Sequence, residues 1–317
     1  MTSMMHGRVS RYGPASVAVR CLSVVGLAAA TLSLATTATA QTSPELRAAQ
    51  AHKIAAPEVV DDPVLVEVLK GAQRPAADVA RDGARHPLES LTFWGLRPGA
   101  TVLEMFPGGG YWVRILAPYA ARTHGHYITT VSALTGDEKD GAIQARVDRF
   151  KARWSDTSVY GSIGYAPLGK ATSQLAAPGS VDLILTARNI HNLLWETGAL
   201  DRDLGLAFAA LKPGGVLAVE EHRADPRAQI GDARDGYVAT STVIAAAKMA
   251  GFVFDGSSEI NANPKDTKDH PFGVWTLPPD RQSAADGRTP DPAFDRARYD
   301  AIGESDRMTL RFRKPGG

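Results

Sequence analysis

From residue 99 onward, short apolar runs alternate with longer amphipathic stretches. The apolar runs predict six buried strands, over ATVLEM, HYITTV, TSVYGSI, SVDLILTA, GVLAVEEH and FVFDGSS. The stretches between them predict helices, among them YWVRILAPYAA, DEKDGAIQARVDRFKARW, LDRDLGLAFAAL and YVATSTVIAAAKMAG. Because strands that alternate with helices pair in parallel, the pattern predicts an α/β fold with a mainly parallel sheet and helices on both of its faces.

The segments on either side of this alternation have a different character. Residues 41–98 carry helical signals, such as DDPVLVEVLKG, and are expected to form a helical N-terminal extension to a core over residues 99–260. Residues 261–305 are rich in Pro, Asp, Asn and Arg and predict a loop-rich insertion, with one short helix near FDRARYDAI. RMTLRFRK alternates again, so residues 306–317 are expected to supply the final strand of the core and a tail.

Residues 1–40 have the pattern of a signal peptide. A basic leader that ends at Arg20 precedes the apolar run CLSVVGLAAATLSLA, and Ala38 and Ala40 are small residues of the kind that signal peptidase reads. We therefore expect cleavage after Ala40 and a periplasmic or secreted protein without stable membrane insertion; an uncleaved anchor is the alternative. Cys21 is the only cysteine, so the mature protein would lack disulfides, thiolate metal ligands and a cysteine nucleophile.

The charge balance excludes some classes of partner. The whole chain has 35 basic and 34 acidic residues, and residues 1–40 contain three of the arginines and no acid. The remainder is therefore slightly acidic and has no basic stripe, which argues against nucleic acid or an anionic membrane as a partner. Nothing in the sequence indicates an oligomeric state.

The stretch VLEMFPGGGYW, residues 102–112, places glycines directly after the first predicted strand. Ligands of open parallel sheets bind beyond the carboxyl ends of the strands, near the point where the strand order reverses. A P-loop would need Lys followed by Ser or Thr where Tyr111 and Trp112 stand. A dinucleotide site would need Gly or Ala in place of Val113 and an acid after the second strand, and HYITTVSAL has none.

A third ligand class, S-adenosylmethionine, fits these residues better. It needs close approach of bare backbone, which Gly108 and Gly110 allow, and a carboxylate for its ammonium group, which Glu104 offers. The segment TVLEMFPGGGYWVRILA resembles motif I of class I S-adenosylmethionine-dependent methyltransferases. More narrowly, the chain resembles a bacterial family of predicted methyltransferases that carry signal peptides. The matching segments, in order from about residue 74 to 315, are RDGARHP, FWGLRPG, PGGGYW, RNIHN, LKPGGVLAVEEHRADP, KMAGF and SDRMTLRFRKP.

The resemblance implies a Rossmann-like, doubly wound sheet of seven strands, the last of them antiparallel. It implies an exported enzyme that methylates a small-molecule acceptor, which no pattern in the sequence identifies. The cofactor would be held by one loop and the start of the next helix, through Glu104, Pro107, Gly108, Gly109, Gly110 and Tyr111. Asn189 and His191 would lie after the fourth strand, where such enzymes contact both cofactor and acceptor.

Two features depart from the family pattern. Phe106 stands where many class I enzymes have the first glycine of the loop. The acid that binds the ribose after the second strand is missing, and Ser132 or a residue of TGDEK is the candidate substitute.

The expected chemistry is an in-line displacement, for which the protein mainly has to align donor and acceptor. His191 is the candidate base, since neutral imidazole accepts protons at mild pH; orienting its loop is the alternative role. Strand alternation places Glu220 and His222 on one face and Glu221 on the other, so Glu220 and His222 are expected near His191.

Three functions follow from these residues. With Asn189, His191 and His222 as catalytic candidates, the chain would be a methyltransferase whose acceptor pocket has a polar lining. His191, Glu220 and His222 could instead hold a metal. The third possibility is a non-catalytic periplasmic binding protein on the same scaffold, because S-adenosylmethionine is made in the cytosol.

Two further polar segments lie outside the motif. Asp82 and Arg85 are expected either to close over the pocket or to form a surface ion pair. Asp266, Asp269 and His270 are expected in a solvated loop.

Overall fold

The computed structural model describes residues 62–285 and 288–316, so the predicted signal peptide and its cleavage site lie outside the described residues. The strands are β1 (Thr101–Met105), β2 (His126–Ser132), β3 (Ile163–Leu168), β4 (Val181–Ala187), β5 (Leu211–His222), β6 (Val253–Ser258), β7 (Pro271–Val274) and β8 (Arg307–Arg313). Among the helices of this part of the chain, none combines the length and the apolar character that crossing a bilayer requires.

Helices precede the first strand and lie between the later ones in the described residues. They are α1 (Pro63–Leu69), α2 (Ala76–Val79), α3 (Asp82–Arg85), α4 (Pro87–Phe93), α5 (Val113–Arg122), α6 (Asp140–Arg153), α7 (Thr157–Tyr160), α8 (Ile190–Leu194), α9 (Ala199–Ala210), α10 (Thr240–Met249) and α11 (Arg296–Asp300). The first four confirm that helices precede the first strand, and α11 confirms the short helix predicted near FDRARYDAI.

Seven of the strands form one sheet in the order β3-β2-β1-β4-β5-β8-β6. Strands β1 to β5 pair in parallel, whereas β8 is antiparallel to both β5 and β6. This is the Rossmann-like fold of class I methyltransferases, and it confirms the predicted fold class. The strand order reverses between β1 and β4, so the carboxyl ends of these two strands form the crevice where ligands of such sheets bind.

The sheet buries apolar side chains on both faces, as a doubly wound fold requires. One cluster contains Leu103 and Leu217 together with residues of α9 and α10. The other contains Val102 and Ala218 together with residues of α1, α4 and α5. Helices α1 and α4 are therefore part of the packing on one face, and Trp94, just after α4, donates from Nε1 to the Leu310 carbonyl of β8 at 3.1 Å.

The third strand differs from its prediction. TSVYGSI was expected to form it, but Thr157–Tyr160 is helical and the strand begins at Ile163. The Asp156 side chain accepts from the backbone N–H of Ser158 at 3.0 Å and so caps this helix. The strand is IGYAPL, which pairs with β2 from Tyr127↔Ile163 onward.

The expected solvated loop is in part buried. Asp266 and His270 are 4% and 8% exposed, and His270 Nε2 lies 2.8 Å from Asp266 Oδ1. Asp266 also accepts from the Tyr237 hydroxyl at 3.0 Å and from the backbone N–H of Asp306 at 2.7 Å. The prediction was wrong for these two residues because the insertion packs against the start of β8, whereas Asp269 is exposed as expected.

Candidate functional site

A cavity of about 390 Å³ opens at the carboxyl ends of β1, β4 and β5. Its volume lies in the range typical of small-molecule sites. Eight of the nine residues predicted for the cofactor and the catalytic site line it, namely Glu104, Pro107, Gly108, Gly109, Tyr111, Asn189, His191 and His222. The ninth, Gly110, does not. The sequence-based site and the cavity therefore coincide.

The loop after β1 keeps a glycine-like backbone at a position that is not glycine. Phe106 has φ +56°, in the left-handed region, which costs a bulky residue about 1–2 kcal/mol. Its N–H donates to Thr130 Oγ1 at 2.8 Å, and its carbonyl accepts from Asn189 Nδ2 at 3.3 Å. These two contacts hold the turn, so the loop forms in spite of the departure from the family pattern.

Gly108 and Gly110 both have positive φ, +52° and +85°, but they serve different purposes. A Cβ on Gly110 would lie 2.3 Å from Cζ2 of Trp154, so this glycine is required by packing. A Cβ on Gly108 would have no atom within 4 Å and would project from a loop that lines the cavity. The open space above Gly108 is therefore available to a ligand.

A second cavity, of about 260 Å³, adjoins the first and shares Phe106, Pro107 and Gly108 with it. Its other lining residues come from the ends of β2 and β3 and from α6 and include Arg146 and Ser132, the candidate substitute for the ribose-binding acid. None of the described residues that line it is acidic, and TGDEK does not contribute to it.

Glu104 lies at the junction of β1 and the loop and is 2% exposed. Tyr127 of β2 donates its hydroxyl to Glu104 Oε2. Burial raises the pKa of Glu104 to about 8, although the Tyr127 hydrogen bond and the nearby Arg188 guanidinium act in the opposite direction. The carboxyl group is therefore mostly protonated at neutral pH, and a cation placed against it would favour the ionised form.

His191, at the start of α8, is paired with Glu221 and not with Glu220. Its ring Nδ1 lies 3.0 Å from Glu221 Oε1, and its backbone N–H donates to Oε2 at 3.2 Å. The backbone N–H of His222 also donates to Glu221, at 2.8 Å. An ionised carboxylate only accepts, so Nδ1 carries the proton and Nε2 is the nitrogen left to act as a base.

The expectation that Glu220 faces His191 was wrong. Glu220 lies on the face of the N-terminal helices, where its Oε1 is 2.6 Å from Arg307 Nη1. The side chains of β5 do alternate between the two faces of the sheet as predicted. Helix α8, however, covers the face on which Glu221 projects, which is opposite to that of Glu220. The sequence defined the two faces of the strand without showing which of them the α8 loop would cover.

His222 completes the polar cluster at the end of β5. Its ring centroid lies 5.4 Å from that of His191, and its Nδ1 lies 2.5 Å from Ser305 Oγ. Burial holds the pKa of His222 well below its usual value, and the charges of Arg188 and Arg307, together with that of His191 when it is protonated, lower it further. His222 is therefore a neutral hydrogen-bonding group at neutral pH.

His191, Glu221 and His222 could hold a metal, since one ligand atom from each lies within 4.8 Å of the others. Two observations stand against it. The Glu221 carboxylate already accepts three hydrogen bonds. In addition, the guanidinium groups of Arg188 and Arg307 place positive charge near His222.

The structure places Asp82 and Arg85 in different networks. Asp82 binds Arg74 and accepts from the Tyr111 hydroxyl at 2.6 Å. Arg85 is 1% exposed, pairs with Glu304 and lines the cavity. Asp82 and Arg85 therefore do not form a surface ion pair with each other. Of the two residues expected to close over the pocket, Arg85 lines the cavity and Asp82 does not.

The sequence analysis missed several residues of the site. Arg81, Arg188, Trp195 and Trp275 all line the cavity. Arg188 offered a signal, because it directly follows a strong strand in the segment RNIHN. Trp275 offered none, since it reaches the site from the insertion.

Neither a protein-family model nor a curated protein matches the chain. Among solved structures, it is similar to an S-adenosylmethionine-dependent methyltransferase from Aquifex aeolicus, with 19% identity over 61% of this chain and 91% of that one and a TM-score of 0.39. It is also similar to a putative sarcosine dimethylglycine methyltransferase from Galdieria sulphuraria, with 13% identity, coverage of 80% and 91%, and a TM-score of 0.46. A third is a complex of the Haloferax volcanii Trm112 methyltransferase activator with a putative methyltransferase, with 16% identity, coverage of 81% and 99%, and a TM-score of 0.44.

The two glycines give a matched pair of variants. Gly108→Asn should change the free energy of unfolding by about 1 kcal/mol or less, because Asn tolerates left-handed φ and meets open space. It should weaken binding of S-adenosylhomocysteine by roughly tenfold or more, since the side chain would project toward the ligand space. Gly110→Ala should instead lower the free energy of unfolding by about 2 kcal/mol or more, because the added Cβ would clash with Trp154. Urea unfolding and calorimetry measure both effects; wild-type affinity in Gly108→Asn would contradict this assignment of the loop.

Proposed function

We propose that the chain is an S-adenosylmethionine-dependent methyltransferase that acts on a small-molecule acceptor. The observation that carries the proposal is the buried Glu104 carboxyl beside the open Gly108 backbone, at the strand-order reversal of a class I methyltransferase sheet. That combination suits a ligand that carries an ammonium group, and it does not require the ligand to carry a phosphate.

The residues present fit this cofactor in chemical terms. Glu104 would hold the ammonium group, and the Pro107–Gly109 loop would lie against the methionine part. The second cavity is the space that remains for the adenosine, with Ser132 among its polar lining residues. Phe106, which lines both cavities, would lie at their junction.

The bound cofactor would supply a methyl group activated by a sulfonium. Asn189 holds the loop after β1 in place through its hydrogen bond to the Phe106 carbonyl. His191 would accept a proton from the acceptor at Nε2, and Glu221 is the positioning residue that keeps the ring in the required tautomer and orientation. His222, neutral and bound to Ser305, would line the acceptor side.

Export is part of the proposal and rests on residues 1–40 alone. A reporter enzyme fused after Ala40 tests it: activity in the periplasm supports export, and activity confined to the cytosol excludes it.

The direct test of function is calorimetry of the purified protein with S-adenosylmethionine and with S-adenosylhomocysteine. Dissociation constants in the micromolar range, about −8 kcal/mol, would support the proposal. No heat at millimolar ligand would favour the binding-protein alternative. Stoichiometric metal that is lost in Glu221→Gln would favour the metal-dependent alternative.

The raised pKa of Glu104 makes cofactor binding pH-dependent. The free carboxyl is mostly protonated below pH 8, and the bound ammonium should ionise it, so binding releases roughly one proton at pH 7. Affinity should then rise by about tenfold per unit between about pH 6 and 7, and fall above about pH 8, where the ligand's own amino group loses its proton. Calorimetry in two buffers of different ionisation enthalpy measures the released proton. Glu104→Gln should abolish the release; wild-type protein that releases none would contradict the assignment.

The His191–Glu221 pair predicts a separation of catalysis from binding. Glu221→Gln should lower methyl transfer by about 10²- to 10⁴-fold, because the base loses its orientation and charge partner. Its affinity for S-adenosylhomocysteine should stay within about twofold, since Glu221 is absent from the residues that line the cavity. Transfer of labelled methyl groups into a small-metabolite extract measures the first quantity and calorimetry the second. Unchanged transfer would exclude the pair from the reaction.

A further inference from the structure

One wall of the larger cavity carries two arginines whose charge is only partly compensated. Arg81 and Arg85 both line the cavity and both bind Glu304. Nε of Arg81 donates to Glu304 at 2.8 Å, and Nε of Arg85 donates to it at 3.0 Å. Because Glu304 engages each guanidinium at Nε, the two terminal nitrogens of each remain available, and these form the fork that binds a carboxylate.

Arg85 has a buried terminal nitrogen that makes no hydrogen bond to the described residues. Its side chain is 1% exposed, yet Nη2 has no hydrogen-bond partner in the described part of the chain. Its guanidinium carbon lies 4.6 Å from the centre of the Tyr111 ring, which restrains the orientation of the group. A buried donor without a partner costs free energy, and a ligand that accepts from it would remove that cost.

The ion pairs that Arg81 and Arg85 form leave an excess of positive charge around Glu304. Glu304 also lies 3.1 Å from Arg307, whose other partner is Glu220, so three guanidinium groups share two carboxylates. Apart from Glu104, the acids that line the cavity are Asp78, which is 2.9 Å from Arg114 and so already paired, and Asp280. An anion bound at Arg81 and Arg85 would neutralise this excess of positive charge.

We propose that the methyl acceptor is a small organic carboxylate, and that the terminal nitrogens of Arg81 and Arg85 bind its charged group. This rests on the proposed function of the same site. Trp195 and Trp275, whose rings lie 5.9 and 5.8 Å from the His191 ring, supply the aromatic walls for the organic body of such a ligand.

S-adenosylmethionine carries a carboxylate of its own, so the cofactor is the other ligand that Arg81 and Arg85 could bind. Arg188 lies close enough to Glu104 to affect its ionisation, and its Nε has no partner among the described residues. The amino-acid tail beside Glu104 therefore has a separate guanidinium available, which leaves Arg81 and Arg85 to the acceptor.

The test compares benzoate with its neutral isostere benzamide, titrated by calorimetry with and without saturating S-adenosylhomocysteine. We expect benzoate to bind roughly tenfold more tightly than benzamide. Arg81→Gln should reduce the affinity for benzoate by about fivefold or more and leave that for benzamide unchanged. Arg81 is the chosen site because its side chain is 24% exposed and Glu304 keeps two other arginine partners. The matched control is Arg97→Gln, an exposed arginine that pairs with Asp182 outside the cavity.

Equal affinity for the two ligands, or an Arg81→Gln variant that binds benzoate like wild type, overturns the proposal. It is also overturned if Arg81→Gln weakens S-adenosylhomocysteine but not 5′-methylthioadenosine, which lacks the amino-acid tail, because the arginines then bind the cofactor. Benzoate titration without cofactor separates the two claims. Benzoate binding that depends on Arg81 in a protein that binds no S-adenosylhomocysteine would refute the methyltransferase proposal and leave the anion site intact.

Discussion

The parallel pairing of three neighbouring strands determines where the chemistry of this protein can occur. Glu104 of β1 is in register with Leu185 of β4, and Ala187 of β4 is in register with Glu220 of β5. The strands therefore end at one edge, and the loops that leave them emerge side by side. Because the order reverses between β1 and β4, no crossover helix fills the space above that edge. The buried carboxyl, the glycine loop and the histidine cluster all meet there for this reason.

Much of this arrangement could be predicted from the sequence, because hydrophobic periodicity shows where strands end. One apolar run ends at Glu104 and another ends before Arg188, so the polar residues that follow these two strands are expected at the same edge of a parallel sheet. The partner of His191 could not be predicted in the same way. Alternation separates Glu220 from Glu221, but the choice between them depends on which face α8 covers, and that is decided by packing over long sequence distances. The third strand was misplaced because the helical turn Thr157–Tyr160, capped by Asp156, has strand-like residues.

Phe106 shows how this loop forms a left-handed turn without a glycine at that position. The backbone adopts the left-handed conformation that glycine would adopt, and the hydrogen bonds with Thr130 and Asn189 offset the cost. The side chain then lines both cavities at the point where they adjoin. The departure from the family pattern thus changes the lining of the cleft and not the path of the main chain.

The central claim is that these adjoining cavities hold an adenosine-bearing cation beside Glu104. Native mass spectrometry of the protein, incubated with S-adenosylmethionine and desalted gently, tests it most directly. The account predicts a complex of one protein with one cofactor molecule, which Gly108→Asn depletes strongly and Arg97→Gln leaves unchanged. Spectra that show only free protein, or adducts of equal abundance in all three proteins, would contradict it.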